Sequence, residues 1–187
     1  MPSDNVLSAD NQQERRQISP WYISGFVDGE GSFHIAIYKD PRMKTRIKII
    51  PEIHVSQNRS SQKVLEEIRD YLHCGYIKVN HRGKASDRTN VLVVRDRNDL
   101  VQRIIPFFQK YPLRTNKAND FKIFAQIVRM IANGDHRSSQ GIRKIISLAY
   151  KMNEKGKRRK VKKSDLMTFV ESSETICETL TNVSEKI

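Results

Sequence analysis

Cysteine is scarce. The 187 residues hold only Cys74 and Cys177, far apart and without the short spacing of a metal site, so neither a disulfide-stapled fold nor a cysteine-built metal centre is expected. Long apolar runs are missing too. None approaches the roughly 20 residues that cross a bilayer, and the polar N-terminus has no apolar segment of the kind that directs secretion. No membrane partner is expected, and the chain reads as intracellular rather than secreted, in a bacterial or archaeal cytoplasm or in an organelle. Negative charge is the third shortage: 21 Asp and Glu stand against 34 Lys and Arg, giving a formal charge of +13 and a pI near 9.9. That imbalance favours a polyanionic partner, with nucleic acid ahead of an anionic membrane surface. The length suffices for one domain with a core of its own.

The most informative stretch is Ser19-Pro20-Trp21-Tyr22-Ile23-Ser24-Gly25-Phe26-Val27-Asp28-Gly29-Glu30-Gly31-Ser32. Ser19 followed by Pro20 marks a helix start, and Ile23, Phe26 and Val27 recur at the spacing of a buried helical face. Gly25 and Gly29 share one side of that helix. Each costs about 1 kcal/mol in a helix interior, and close approach of another backbone is what such a side offers in return. Glu30 falls at the helix C-terminus, where the dipole disfavours an anion by about 0.3–1 kcal/mol; an acid there points to a bound cation. Asp28, two residues away, does not face it. A second carboxylate would come from another copy of the same helix.

Residues 1–17 are polar and read as a flexible N-terminal arm, ahead of a domain spanning 18–153 and a basic C-terminal extension, 154–187. Within the domain, Ser32 to Lys39 alternates as a strand, with Phe33, Ile35 and Ile37 inward. Arg46 to Ser56 follows with Ile47, Ile49, Ile53 and Val55 inward, Ile50 among the outward residues, and Pro51 marking a bulge or an edge. Ser60 starts a helix to about Leu72. A second hairpin places Tyr76, Lys78 and Asn80 opposite Ile77 and Val79. It returns from Thr89 to Arg95, burying Val91 and Val93 in preference to Leu92 and Val94. Asn98 or Asp99 starts a helix that ends near Pro106, and amphipathic helices run from Thr115 to about Asn133 and from Ser138 to Met152. The order predicts an α+β fold with one antiparallel four-stranded sheet, one face on helices and the other polar and exposed. Residues 154–163 carry seven basic side chains, open to two readings: a solvated segment, or contacts to a nucleic-acid backbone. Ser164 to Ile187 could begin as a helix through Leu166, Phe169 and Val170.

Ile23-Ser24-Gly25-Phe26-Val27-Asp28-Gly29-Glu30-Gly31 resembles the signature of the LAGLIDADG homing endonucleases. Val55-Ser56-Gln57 closing a strand and Pro112-Leu113-Arg114-Thr115-Asn116-Lys117-Ala118-Asn119 opening a helix extend the resemblance over about residues 18–153. It implies an αββαββα core and, with a single motif, a homodimer pairing two motif helices at Gly25 and Gly29. It further implies a Mg²⁺-dependent endodeoxyribonuclease (Mn²⁺ substituting, no small-molecule cofactor) that cuts both strands of a long pseudo-palindromic DNA target and so promotes intron mobility. Glu30 matches the metal-binding acid, with the Gly29 carbonyl as companion ligand, and Gln57 matches a solvent-orienting polar residue. Arg114 and Lys117 compete for the catalytic basic position, and the sequence leaves that choice open. The exposed sheet face would read the major groove. Its candidates are His34, Tyr38, Lys48, Glu52 and His54 from the first hairpin and Tyr76, Lys78, Asn80, Arg82, Arg88 and Asn90 from the second. An intron RNA maturase and a non-catalytic DNA-binding regulator are the alternatives on the same scaffold.

Overall fold

Helix α1 (Pro20–Glu30) starts at Ser19, whose extended backbone and carbonyl serve the first turn while its hydroxyl makes no capping bond. The chain passes from α1 into strand β1 (Gly31–Lys39) without a connecting loop. Only glycine allows this: a Cβ on Gly31 would lie 2.6 Å from the Val27 carbonyl oxygen. The computed structural model describes residues 18–43, 45–80, 88–153 and 159–172. The predicted N-terminal arm, Arg82 and most of the loop around it, and the end of the basic extension lie outside the described residues.

Strand β2 (Ile47–Asn58) pairs antiparallel with β1, and after helix α2 (Gln62–Leu72) a second hairpin follows, β3 (Tyr76–Val79) and β4 (Thr89–Val94). The sheet order is β1-β2-β4-β3, all antiparallel. Pro51 pairs with Ile35 in unbroken register, so there is no bulge. Because β4 ends opposite Ile53, β2 is locally an edge at Pro51, which removes the demand for a second ladder bond there.

The return strand corrects the sequence reading. Leu92 and Val94 face the helices and join the main core, whereas Val91 and Val93 lie on the polar face, opposite Ser56 and His54 of β2 and Lys78 and Tyr76 of β3. All four valines and leucines are buried because β4 is an inner strand, covered by neighbours on both sides.

Helix α3 spans residues 97–110. It is capped by the Asp96 carboxylate on the N–H groups of Asn98 and Asp99, a start slightly earlier than predicted, and it does not stop at Pro106. A π-helical stretch, Leu100–Ile104, precedes the proline and absorbs its missing donor. Helices α4 (Lys117–Ala132) and α5 (Ser139–Ala149) complete the layer against the sheet. Phe33 of β1 is the hub, with its ring centroid 6.0, 5.4 and 5.2 Å from those of Phe108, Phe121 and Phe124.

A final helix, α6 (163–172), packs Leu166 and Val170 into a second cluster with Ile47, Ile142 and Ile146. Ahead of it, Arg159 donates to the carbonyls of Ile35 and Ala149, and Asn153 donates to that of Phe33. These bonds satisfy the free edge of β1. Of the two readings of the basic stretch, neither describes Arg159, which is half-buried and holds structure.

Candidate active site and nucleic-acid interface

The C-terminal end of α1 gathers the candidate catalytic residues, and side chains distant in sequence bring it together. Ser24, buried within α1, donates its hydroxyl to the Tyr111 carbonyl at 2.9 Å. One turn later, Asp28 receives three hydrogen bonds from the segment before α4. The Thr115 hydroxyl donates to Oδ1 at 2.6 Å, and the Arg114 and Thr115 N–H groups donate to Oδ2 at 2.8 and 3.0 Å. Burial works against the Asp28 carboxylate, but these bonds together hold its pKa below the ordinary range. Ser24, Asp28 and Thr115 were not singled out from sequence; their partners lie 86 to 88 residues apart, beyond any local pattern.

Lys117 occupies the helix end itself. Its Nζ donates to the carbonyls of Val27, Asp28 and Gly29 at 3.1, 2.7 and 3.2 Å. The last carbonyls of a helix lack intrahelical donors, and a cation is what the dipole favours there. Burial lowers the Lys117 pKa, with Asp28, Glu30 and Asp120 pulling the other way. Arg114, the competing candidate, contributes its backbone N–H to this junction while the residue stands exposed. Lys117 is thus the basic side chain that the fold brings onto the motif helix.

Glu30 is exposed at the same end. Gly25 and Gly29 are also exposed, and a Cβ on either would meet nothing within 4 Å among the described residues, so none of these accounts for them. Trp21 and Tyr22, on the same outer side of α1, are 51% and 52% exposed. Gln57 lies two residues past Val55, the partner of Gly31, and therefore where β2 runs beyond the start of β1 toward the end of α1. Its Oε1 accepts from the Asn58 N–H at 2.7 Å. Glu30 and the Gly29 carbonyl are hard oxygen donors of the kind that hold Mg²⁺. Among the described residues no group of three or more His, Cys, Asp or Glu could hold a metal ion. These two oxygens fit such an ion as part of a ligand set rather than as a complete one.

On the polar sheet face the register sets His34 opposite Glu52, Ser32 opposite His54 and Tyr38 opposite Lys48. The central groups are tied to one another. His34 Nε2 and Ser32 Oγ are 2.8 Å apart, the His34 and His54 rings lie 4.7 Å centroid to centroid, and His54 Nε2 and Glu52 Oε2 are 2.8 Å apart. Burial, and then the charge of His54, push the His34 pKa down. Tyr38, Lys48, Tyr76 and Lys78 are exposed along this face, Asn80 is partly exposed, and Arg88 is exposed at the approach to β4. Asn90 departs from the prediction. It pairs with Gln57 and Val79, faces the helices, is buried, and donates through Nδ2 to Gln62 Oε1. The single-residue alternation that makes Val91 outward makes Asn90 inward, so it does not belong to the nucleic-acid face.

Residues 23–128, more than half of the chain, match the family model described as LAGLIDADG endonuclease. The chain belongs to that family. Over 138 residues it is 35% identical to probable intron-encoded endonuclease 2 of Neurospora crassa, an alignment covering 73% of this chain and 29% of that protein. The chain therefore spans less than a third of that relative's length. Among solved structures it is similar to the homing endonuclease I-TnaI, with a TM-score of 0.71 at 32% identity, covering 84% of this chain and 99% of that one. It is likewise similar to the archaeal intron-encoded homing endonuclease I-Vdi141I complexed with DNA, with a TM-score of 0.75 at 27% identity, covering 83% and 96%. The αββαββα arrangement read from the sequence is the fold of these proteins.

Proposed function

We propose that the chain is a site-specific, Mg²⁺-dependent DNA endonuclease that acts as a homodimer on a long pseudo-palindromic target, cutting both strands and so promoting intron mobility. The observation that carries this reading is the end of α1. An exposed Glu30 there adjoins a bare two-glycine face, and Lys117 and Gln57 come from other elements to the same end. Family membership supports nuclease chemistry, and the near-complete coverage of I-TnaI and I-Vdi141I supports one such unit per chain. Pairing two α1 helices through Gly25 and Gly29 would bring two Glu30 carboxylates to one seam and cover the exposed Trp21 and Tyr22. A DNA target of this kind places the protein inside a cell or organelle.

Glu30 and the Gly29 carbonyl would hold the Mg²⁺ ion, with Mn²⁺ as a substitute; the chemistry it supplies is Lewis acidity that neutralises phosphate charge and acidifies water. Lys117 keeps a positive charge beside the scissile phosphate, held by the Val27 and Asp28 carbonyls when the Gly29 oxygen serves the ion. Gln57 orients solvent through its carboxamide. The Lys48, Tyr38, Tyr76 and Lys78 face follows the major groove, while basic side chains on phosphates supply salt-dependent affinity.

The test is cleavage of a randomised duplex library with the fragment ends sequenced. Cuts at one long, pseudo-symmetric site in Mg²⁺ are expected. Binding without cuts in any divalent cation overturns the reading and favours a regulator or an RNA-binding maturase.

A further inference from the structure

Asn90 is buried in β4, 5% exposed, directly across the ladder from Gln57 on the face turned to the helices. Its Nδ2 donates to Gln62 Oε1 at the start of α2, and Gln62 Nε2 in turn donates to Glu66 Oε1 at 2.6 Å. Glu66 accepts only, so it fixes which way round the Gln62 carboxamide points; Gln62 then fixes Asn90. This series leaves Asn90 Oδ1 buried and without a partner among the described residues. A buried carbonyl oxygen lacking a donor is costly, and one in a native fold calls for an explanation.

Gln57 supplies one. Residues directly opposite in an antiparallel pair carry their Cβ atoms about 4.5–5.5 Å apart, and Gln57 has a spare donor. Its Oε1 accepts from the Asn58 N–H, whereas its Nε2 has no partner among the described residues. We propose that Asn90 is the positioning residue for Gln57: a side-chain rotation lets Oδ1 accept a hydrogen bond from Gln57 Nε2. Bonds then run from Glu66 through Gln62 and Asn90 to Gln57 and fix the orientation of its carboxamide. The second lone pair of Gln57 Oε1 is left to orient the water beside the motif helix. This inference rests on the reading of Gln57 given under the proposed function.

The test is a double-mutant cycle on the full chain, using the duplex recovered from the library selection. The readouts are single-turnover cleavage rate in Mg²⁺ and dissociation constant in Ca²⁺. Asn90→Ala and the near-isosteric Asn90→Leu are expected to slow cleavage about 10-fold at unchanged affinity. Asn90→Asp keeps an acceptor oxygen but loses the Nδ2 donor to Gln62, so it breaks the series and is expected to slow cleavage as well. In a Gln57→Ala background, Asn90→Leu is expected to have no further effect. Equal slowing in both backgrounds, or no slowing at all, overturns the positioning role. Failure of the underlying reading looks different: Gln57→Ala itself then leaves the rate unchanged.

Discussion

The Lys117 ammonium lies 2.7 Å from the Asp28 carbonyl oxygen, bonding helix α4 to the end of the motif helix. The neighbouring Asp28 carboxylate holds the segment just before α4 through Arg114 N–H and the Thr115 hydroxyl. The two contacts run in opposite directions, one basic side chain onto helix carbonyls and one acidic side chain onto loop donors. Together they set where the acid end of α1 stands relative to the rest of the chain. Lys117→Met is therefore expected to slow cleavage by about 10²-fold with DNA affinity nearly unchanged. Arg114→Ala, lacking that position, is expected to change affinity and its salt dependence more than the rate. Single-turnover rates beside binding isotherms separate the two.

The same junction predicts a stability effect distinct from catalysis. Thr115→Val removes the 2.6 Å hydroxyl bond to Asp28 and the acceptor of the Lys117 N–H, and leaves the two backbone bonds to Asp28 in place. A hydrogen bond to a charged group is worth about 1.5–3 kcal/mol when buried, and this one is partly exposed, so a loss of about 1 kcal/mol is expected. Denaturant midpoints at constant slope measure it.

Gly25 offers a prediction whose sign depends on assembly. Among the described residues of one chain a Cβ there meets nothing within 4 Å, so Gly25→Ala is expected to stabilise the monomer by up to about 1 kcal/mol through helix propensity. Across a close helix–helix seam the same methyl group is an obstruction, and Gly25→Leu a larger one. Both variants are expected to fold, with dimer dissociation shifted to higher protein concentration, Gly25→Leu the more strongly. Sedimentation equilibrium beside thermal melting reads the two effects apart.

Cys74 is buried, and burial, with Asp99 nearby, pushes its thiol up to about 12. An acid whose folded pKa is raised keeps its proton in the native state longer than in the unfolded one. Its contribution to stability is therefore intact below the unfolded pKa of about 8.5 and declines as pH rises from there toward 12. In a Cys177→Ser background, Cys74 is expected to resist thiol reagents at pH 8 until denaturant is added.

The basic extension is expected to be part of the folded unit over its described portion. Leu166 is 2% exposed and packs with Ile47, Ile142 and Ile146, so Leu166→Ala is expected to cost about 2–4 kcal/mol. The α6 ring of Phe169 also carries Lys39 at 4.4 Å and Arg46 at 5.4 Å from its centroid, tying the helix to the turn end of the first hairpin. Chemical denaturation of Leu166→Ala tests the packing, and an unchanged midpoint contradicts it.

Elements with a single periodic face were legible in the sequence. Phe33 and Ile35 on β1, Ile53 and Val55 on β2, and the stripe of α4 alternate or recur as burial on one side demands. Strand β4 was not, because Val91 to Val94 is apolar on both faces and its parity is set only by its pairing with β2 and β3. Asn90 was misplaced with it, since one register step exchanges faces. At the candidate site, Glu30, Gly25 and Gly29 stand out from the glycine–acid helix and Gln57 from the resemblance to the family, while their roles belong to the proposal. Asp28, Thr115 and Ser24 do not stand out, since each acts through a partner more than 80 residues away. The three carbonyl contacts that favour Lys117 over Arg114 are likewise encoded by no spacing. Arg159 was hidden by its company, one structural cation in a run of seven basic side chains.

On the reading proposed above, Glu30, at the exposed end of the glycine-bearing helix, is the acid on which DNA cleavage depends. Glu30→Gln keeps size and hydrogen bonding while removing the charge, and at an exposed position it is expected to leave the fold intact. Wild type and Glu30→Gln would be compared in Mg²⁺ on the recovered duplex, with binding followed in Ca²⁺. Double-strand cleavage by wild type alone is expected, with affinity within a few-fold for both. Cleavage by Glu30→Gln at the wild-type rate would contradict that reading.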